Sequence, residues 1–172
     1  YSSIQAAIFK SGHGDVIEVS HGVYRENINF LGKAITIKST NPEDPAIVAI
    51  TVIDGQQNGS VVTFNSGEKS DSVLNGLTLR NGRADWGGGI DCSDDSSPMI
   101  TNCIIRHNSA SSGGGLCCFS SSPTIINCTI RENSAEYKGG GIYGDYSSPV
   151  IAHCTISENS VEVKAGGGIA CH

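Results

Sequence analysis

Carboxylates, aromatic rings and fixed cations crowd one stretch of this 172-residue chain. Asp91, Asp94 and Asp95 stand on and just after a Gly-Gly-Gly-Ile segment, and Asp145 follows a later copy of it. Carboxylate oxygens that converge on one point suit a hard cation; the same residues in exposed turns are otherwise simply solvated. Lys138 and Lys164 lead into later copies of the segment, and Arg83 leads into the first. Trp86, Tyr143 and Tyr146 add ring faces beside these polar groups. That combination suits either a grip on sugar rings or the packing of loops against the glycine segment. A ligand groove here would draw on Asp91, Tyr143, Trp86 and Lys138, and a cation site on Asp91, Asp94 and Asp95.

Other reactive types are less focused. Arg106 and Arg131 occupy equivalent positions and read either as an anion site or as solvated arginines whose stems cover apolar surface. His13, His21, His107, His153 and His172 are scattered without metal-ligand spacing. The seven cysteines include no C-x-x-C pair, and Cys117 and Cys118 are adjacent, which is poor zinc chemistry.

The elements that must hold these groups come from an internal repeat. Pro98-Met-Ile-Thr-Asn-Cys-Ile-Ile-Arg-His-Asn108-Ser recurs from Pro123 and again from Pro149. The Gly-Gly-Gly block recurs at Gly87, Gly113, Gly139 and Gly166. A weaker copy, Val73-Leu-Asn-Gly-Leu-Thr-Leu-Arg-Asn81, lies upstream, preceded by Val61-Val-Thr-Phe64. Each unit of about 25 residues reads as a glycine-led strand, a Ser-Ser-Pro turn, a second strand, an Asn turn, a third strand and a longer loop. Side chains alternate with period two, so Cys128 and Ile130 face inward and Thr129 and Arg131 outward.

A unit this short cannot bury its own apolar face and must stack on its neighbours. The expected fold is therefore all-β, a right-handed parallel β-helix solenoid with three short strands per coil. Stacking puts Ile105, Ile130 and Ile156 in one ladder, extended by Leu79, and Ile90, Leu116, Ile142 and Ile169 in another. Cys103, Cys128 and Cys154 stack as buried, unpaired thiols, as do Cys92, Cys118 and Cys171 around a gap at Gly144. Cys117 aligns with outward positions and is either exposed and reactive or covered by a loop. Asn102 and Asn127 form an amide ladder, with His153 in the last copy; Asn108, Asn133 and Asn159 form either a second ladder or independent turns.

Ser2 to Gly12 reads as a short helix with a capping box at Ser2 and Gln5 and an apolar stripe of Ile4, Ala7 and Ile8. It either caps the open first coil or lies on the surface as an ordinary helix. The domain plan is one β-helix over residues 1–172: a cap helix at 1–12, irregular early coils at 13–81 and regular coils at 82–172. Asn41-Pro-Glu-Asp-Pro45 reads as a loop. The start at Tyr1 without Met suggests a processed or excerpted segment, and the last motif suggests further coils in the parent protein.

Net charge is −6 and no Lys/Arg run occurs, which argues against a nucleic-acid partner. No apolar stretch approaches the roughly 18 residues of a membrane span.

Ser3-Ile-Gln-Ala-Ala-Ile, Gly14-Asp-Val-Ile-Glu-Val19, Gly22-Val-Tyr-Arg-Glu-Asn-Ile28, Ala34-Ile-Thr-Ile37 and Val52-Ile-Asp-Gly55 resemble the start of many secreted right-handed β-helix proteins of the pectin-lyase-like superfamily. The resemblance covers nearly the whole chain and implies the fold far more than an activity. It also implies a possible chemistry, because lyases of that superfamily hold Ca²⁺ on outer carboxylates and use an Arg or Lys as base. Ile130-Arg-Glu-Asn-Ser-Ala135 with Gly139-Gly-Gly-Ile-Tyr143 is similar to the repeats of chlamydial polymorphic outer-membrane proteins, which are surface adhesins. Here Ile stands for their Phe and the third Gly for their Ala.

Regular coils, short loops and the lack of a convergent catalytic set point to a non-catalytic extracellular or cell-surface module. It would bind carbohydrate or a surface partner and require no cofactor. Two alternatives stay open. One is a polysaccharide-degrading enzyme, either a Ca²⁺-dependent pectate-lyase-like lyase or a glycoside hydrolase. The other is a stalk or fibre that associates end to end through open strand edges.

Overall fold

A computed structural model describes residues 3–163 and 166–172. The chain winds into six coils whose strands stack into parallel sheets running the length of the molecule. The first sheet comprises Val16–Val19, Thr36–Ser39, Val73–Asn75, Met99–Thr101, Thr124–Ile126 and Val150–Ala152. The second begins with Gly22–Tyr24 and ends with Thr155–Ser157; the third begins with Ile28–Asn29 and ends with Ile169–Cys171. Every strand pairing between successive coils is parallel, and all but one keep a continuous register, the exception being a bulge between Ser109–Ser112 and Ser134–Lys138, so like stacks on like. Leu79, Ile105, Ile130 and Ile156 form one column, and Ile90, Leu116, Ile142 and Ile169 another. These columns meet inside as one apolar core, except at the last coil, where Ile169 is 43% exposed.

A fourth sheet is present where the repeat reads as a longer loop. Arg83–Trp86, Ser109–Ser112, Ser134–Lys138 and Ser160–Val161 stack between the second and third sheets, giving the later coils four strands each. The aligned column of this inserted sheet that turns inward is Ala84, Ala110, Ala135 and Val161 rather than large apolar residues, so it lacks the usual strand signature. Its register comes from the coils on either side.

The corners are cut by residues in left-handed conformation. Asn102, Asn127 and His153, with φ of 54°, 55° and 54°, turn the chain from the first sheet to the second. Asn81, His107, Glu132 and Glu158 do so between the second and the inserted sheet. The next position is the main hydrogen-bonded spine. Asn108 donates from its backbone N and its Nδ2 to Asn133 Oδ1, both at 3.0 Å, and Asn133 donates in the same way to Asn159. Asn108 and Asn133 are fully buried, so these amides form a true ladder rather than independent turns. The Asn102–Asn127 rung is longer, at 3.4 Å, and lies at an exposed edge.

The cysteines follow the same logic. All seven are free. The backbone N of Cys103 donates to Cys128 Sγ, and that of Cys128 to Cys154 Sγ, each at 3.4 Å. Cys92 faces Cys118 in register, and Gly144 separates Cys118 from Cys171.

At the N-terminus α1 (Ile4–Lys10) buries Ile4, Ala7 and Ile8 against the first coil. Ser2, expected to cap it, lies outside the described residues. Ser3 is the N-cap, and Gln5 reaches across to the backbone of Asn29 instead of closing a capping box. The Glu26 carboxylate completes the cap, accepting from Ser3 Oγ and from the backbone N of Ile4 and Gln5. Lys33 donates to the last carbonyls of the helix and its C-cap. A second helix, α2 (Pro45–Ile50), follows the segment read as a loop. Asp44 caps it, Pro45 starts it, and Thr78 Oγ1 bonds Val48 O from the second sheet beneath. Neither helix is long and apolar enough to cross a membrane.

Candidate functional site

The outward face at the junction of the inserted and third sheets gathers most of the chemistry. On the third sheet Asp91, Cys117 and Tyr143 form one outward column over three coils. The last residues of the inserted strands, Trp86, Ser112 and Lys138, form a facing column. Between the two columns runs the glycine corner. A methyl group on Gly139 (φ 61°) would stand 2.9 Å from Tyr143 Cα, so the corner brings the columns together only because it has no side chain.

The Trp86 and Tyr143 rings stack with centroids 6.2 Å apart. They come from coils two apart, so they meet above the coil between, which carries Cys117. Lys138 Nζ lies 5.4 Å from the centre of the Tyr143 ring, within cation–π range. Two residues along the third sheet Phe119 faces Asp145 in register, and the Phe119 ring meets Tyr146 edge-on at 6.4 Å. Trp86, Phe119 and Tyr146 are 52%, 46% and 78% exposed. An otherwise aromatic-poor chain thus presents three exposed rings on one face, with the buried ring of Tyr143 (4% exposed) packed against Trp86 and Lys138.

Cys117 points outward, as the register requires, yet it is fully buried. Burial, then the charges of Asp91 and Asp145, push its thiol up to about 12, which removes the reactive reading. Burial also pushes the Asp91 carboxyl up to about 6, opposed by the Ser93 hydroxyl and reinforced by Asp94. Asp94 and Asp95 lie beyond in an exposed left-handed turn, with φ of 54° and 59°. Among the described residues no group of three or more His, Cys, Asp or Glu side chains is arranged to hold a metal ion. Lys164 lies outside the described residues. Arg106 and Arg131 stack with Arg80 on the second sheet, away from this face, and Arg131 is paired with Glu132.

Next to the aromatic rings, the inserted sheet forms the floor of an open groove of about 780 Å³. It is lined by residues 83–85, 109–111 and 134–136 with Gln57 and Glu162. Trp86 is the next residue after the groove-lining strand segment 83–85, so rings and groove are continuous. Phe119 and this groove escape a reading of the sequence. Phe119 follows two cysteines in a single coil without repeat support, and the groove depends on a sheet that the repeat does not announce.

A family model described as a right handed beta helix region matches residues 34–172. Neither the comparison with curated proteins nor that with solved structures finds a match.

Proposed function

Because the chain belongs to the right-handed β-helix family, we propose that it uses this rigid rod as an extracellular or cell-surface module that binds an extended polysaccharide. The observation that carries the reading is the Trp86–Tyr143 stack beside the Phe119–Tyr146 pair. Tyr143 is buried, but Trp86, Phe119 and Tyr146 stand exposed, and grouping such rings in water is unfavourable unless a partner covers them. Ring faces bordered by carboxylates and an ammonium match a sugar, which has apolar C–H faces and a rim of hydroxyls. Stacked coils hold these groups on strands rather than on long loops, so the site is preorganised and loses little entropy when ligand arrives.

A glycan-array screen of the folded protein tests this, run with and without Ca²⁺ because Asp91, Asp94 and Asp95 are the carboxylates a hard cation would use. Binding to a class of polysaccharide fragments that is lost in Trp86→Ala supports the reading. Binding that persists unchanged in Trp86→Ala, or no binding to any glycan, overturns it.

A further inference from the structure

We propose that Asn58 is a site of spontaneous backbone modification, converting to aspartate and isoaspartate through a cyclic imide with Gly59, whether or not the aromatic face binds carbohydrate. Asn-Gly pairs occur at 58–59, 75–76 and 81–82. In such a pair the glycine nitrogen can reach the side-chain amide carbon, because no β-carbon on the glycine stands in the way. The fold shields two of the pairs. Asn75 Oδ1 accepts from Asn102 Nδ2 at 2.8 Å, and Gly76 N donates to Thr101 O at 3.0 Å. Gly76 is packed so tightly that a methyl there would stand 2.3 Å from Pro42 Cβ. Asn81 Nδ2 donates to Asp54 Oδ2 at 3.0 Å, and Gly82 N donates to Oδ1 of the buried Asn108 at 2.8 Å. Asn58, by contrast, sits in an exposed turn after Gln56 and Gln57, both in left-handed conformation. Among the described residues its side chain has no hydrogen-bond partner, and a methyl on Gly59 would meet nothing within 4 Å. Gly59 N does donate to Arg83 O at 2.9 Å, but within an isolated bridge, and local opening of that bridge frees the nitrogen.

The chemistry needs only water and hydroxide. Hydroxide takes the proton of Gly59 N, and the nitrogen attacks Asn58 Cγ. A C–N bond forms, and the side-chain nitrogen leaves as ammonia after taking a proton from water, which restores the hydroxide. Water then opens the cyclic imide at either carbonyl. One opening gives aspartate; the other gives isoaspartate, in which the main chain runs through Cβ and Cγ. Overall one water is consumed and one ammonia released, with no oxidation or reduction. Either product puts a carboxylate in the turn that bridges to Arg83. Isoaspartate also lengthens the backbone by one carbon just before a fastening point. Gly59 and Arg83 exchange two hydrogen bonds, at 2.9 and 3.0 Å, and Ser60 Oγ donates to Trp86 O at 3.2 Å. These bonds hold both ends of the strand Arg83–Trp86, so the modification loosens the strand from which Trp86 projects.

Incubation of the folded protein at mildly alkaline pH, followed by peptide mapping with mass spectrometry, tests the proposal. Labelling by an isoaspartyl methyltransferase identifies the isoaspartate. Asn58 should convert at least about ten-fold faster than Asn75 and Asn81. In the urea-unfolded protein the three should convert at similar rates, because the fold and not the Asn-Gly sequence sets the difference. Asn58→Ser, at an exposed position that leaves the core untouched, should remove the isoaspartate signal from the folded protein. Conversion of Asn75 or Asn81 in the folded protein at a rate close to that of Asn58 overturns the proposal. So does an Asn58 that stays intact over many half-times of the unfolded chain, or a signal that persists in Asn58→Ser.

Discussion

Trp86 and Tyr143 belong to coils two apart, and their rings meet at 6.2 Å over the coil that carries Cys117. In the proposed function the stack forms part of the ligand face, and its place over that coil makes it the candidate cover of the buried, outward-directed thiol.

Removing that cover should expose the thiol. In Tyr143→Ala, iodoacetamide should label Cys117, while in the parent protein labelling should fall on the exposed Cys171 and more slowly on the half-buried Cys154. Peptide mapping by mass spectrometry reads this directly. An unlabelled Cys117 in the variant would mean that something other than the ring pair covers it.

The two asparagine ladders should differ in worth. Asn133→Ala strips the acceptor from Asn108's backbone and side-chain N–H groups and removes a donor to Ile105 O, all in the buried spine. It should cost about 2 to 4 kcal/mol. Asn127→Gly keeps the left-handed corner and loses one 3.4 Å rung at an exposed edge, so about 1 kcal/mol or less is expected. Urea unfolding of both variants checks the ranking, and equal losses would contradict it.

Glycine at the corner should be harder to replace than glycine in a free turn. Gly139 (φ 61°) and Gly59 (φ 95°) both sit in conformations that strain an L side chain, but a methyl on Gly59 meets nothing within 4 Å. Gly59→Ala should cost about 1 to 2 kcal/mol. Gly139→Ala should cost more and should also disturb Trp86 emission, because the methyl collides with Tyr143. Similar melting temperatures for the two variants would argue against the crowding.

The repeat reveals the coils because stacking places identical positions on one another, so Cys103, Cys128 and Cys154 align from their spacing alone. It does not reveal the inserted sheet, whose Ser and Ala residues carry no strand pattern of their own. The helix α2 does leave a signal, Asp44 before Pro45, but the prolines around it read more simply as a loop. Register alone puts Cys117 on the correct face. Its burial is a separate matter: the two rings that meet over its coil lie 57 positions apart in the chain, a proximity that no local pattern reports. The clustering of Trp86, Tyr143 and Lys138 follows from register, whereas the pairing of Phe119 with Tyr146 does not.

Asp91 should make stability pH-dependent. Burial raises its folded pKa to about 6, above the unfolded value, so the native state holds the proton more tightly. Its stabilising effect is complete below the unfolded pKa of about 3.9 and is lost as pH rises through about 6. Asp91→Asn, which can still accept from Ser93, should therefore be more stable than the parent at neutral pH by about 1 to 2 kcal/mol, a figure discounted for partial exposure. Relative to the parent, that gain should vanish at low pH. Chemical denaturation at both pH values checks it, and a gap that does not change with pH would contradict it.

The most direct test of the proposed ligand face uses Trp86, the only tryptophan in the chain. Its emission should be followed while the glycan that binds best is titrated in. A saturable blue shift, lost in Tyr143→Ala, is the predicted result, because a sugar ring covering Trp86 displaces water from it. Unchanged emission at a ligand concentration that calorimetry shows to be saturating would place the polysaccharide elsewhere and contradict the account.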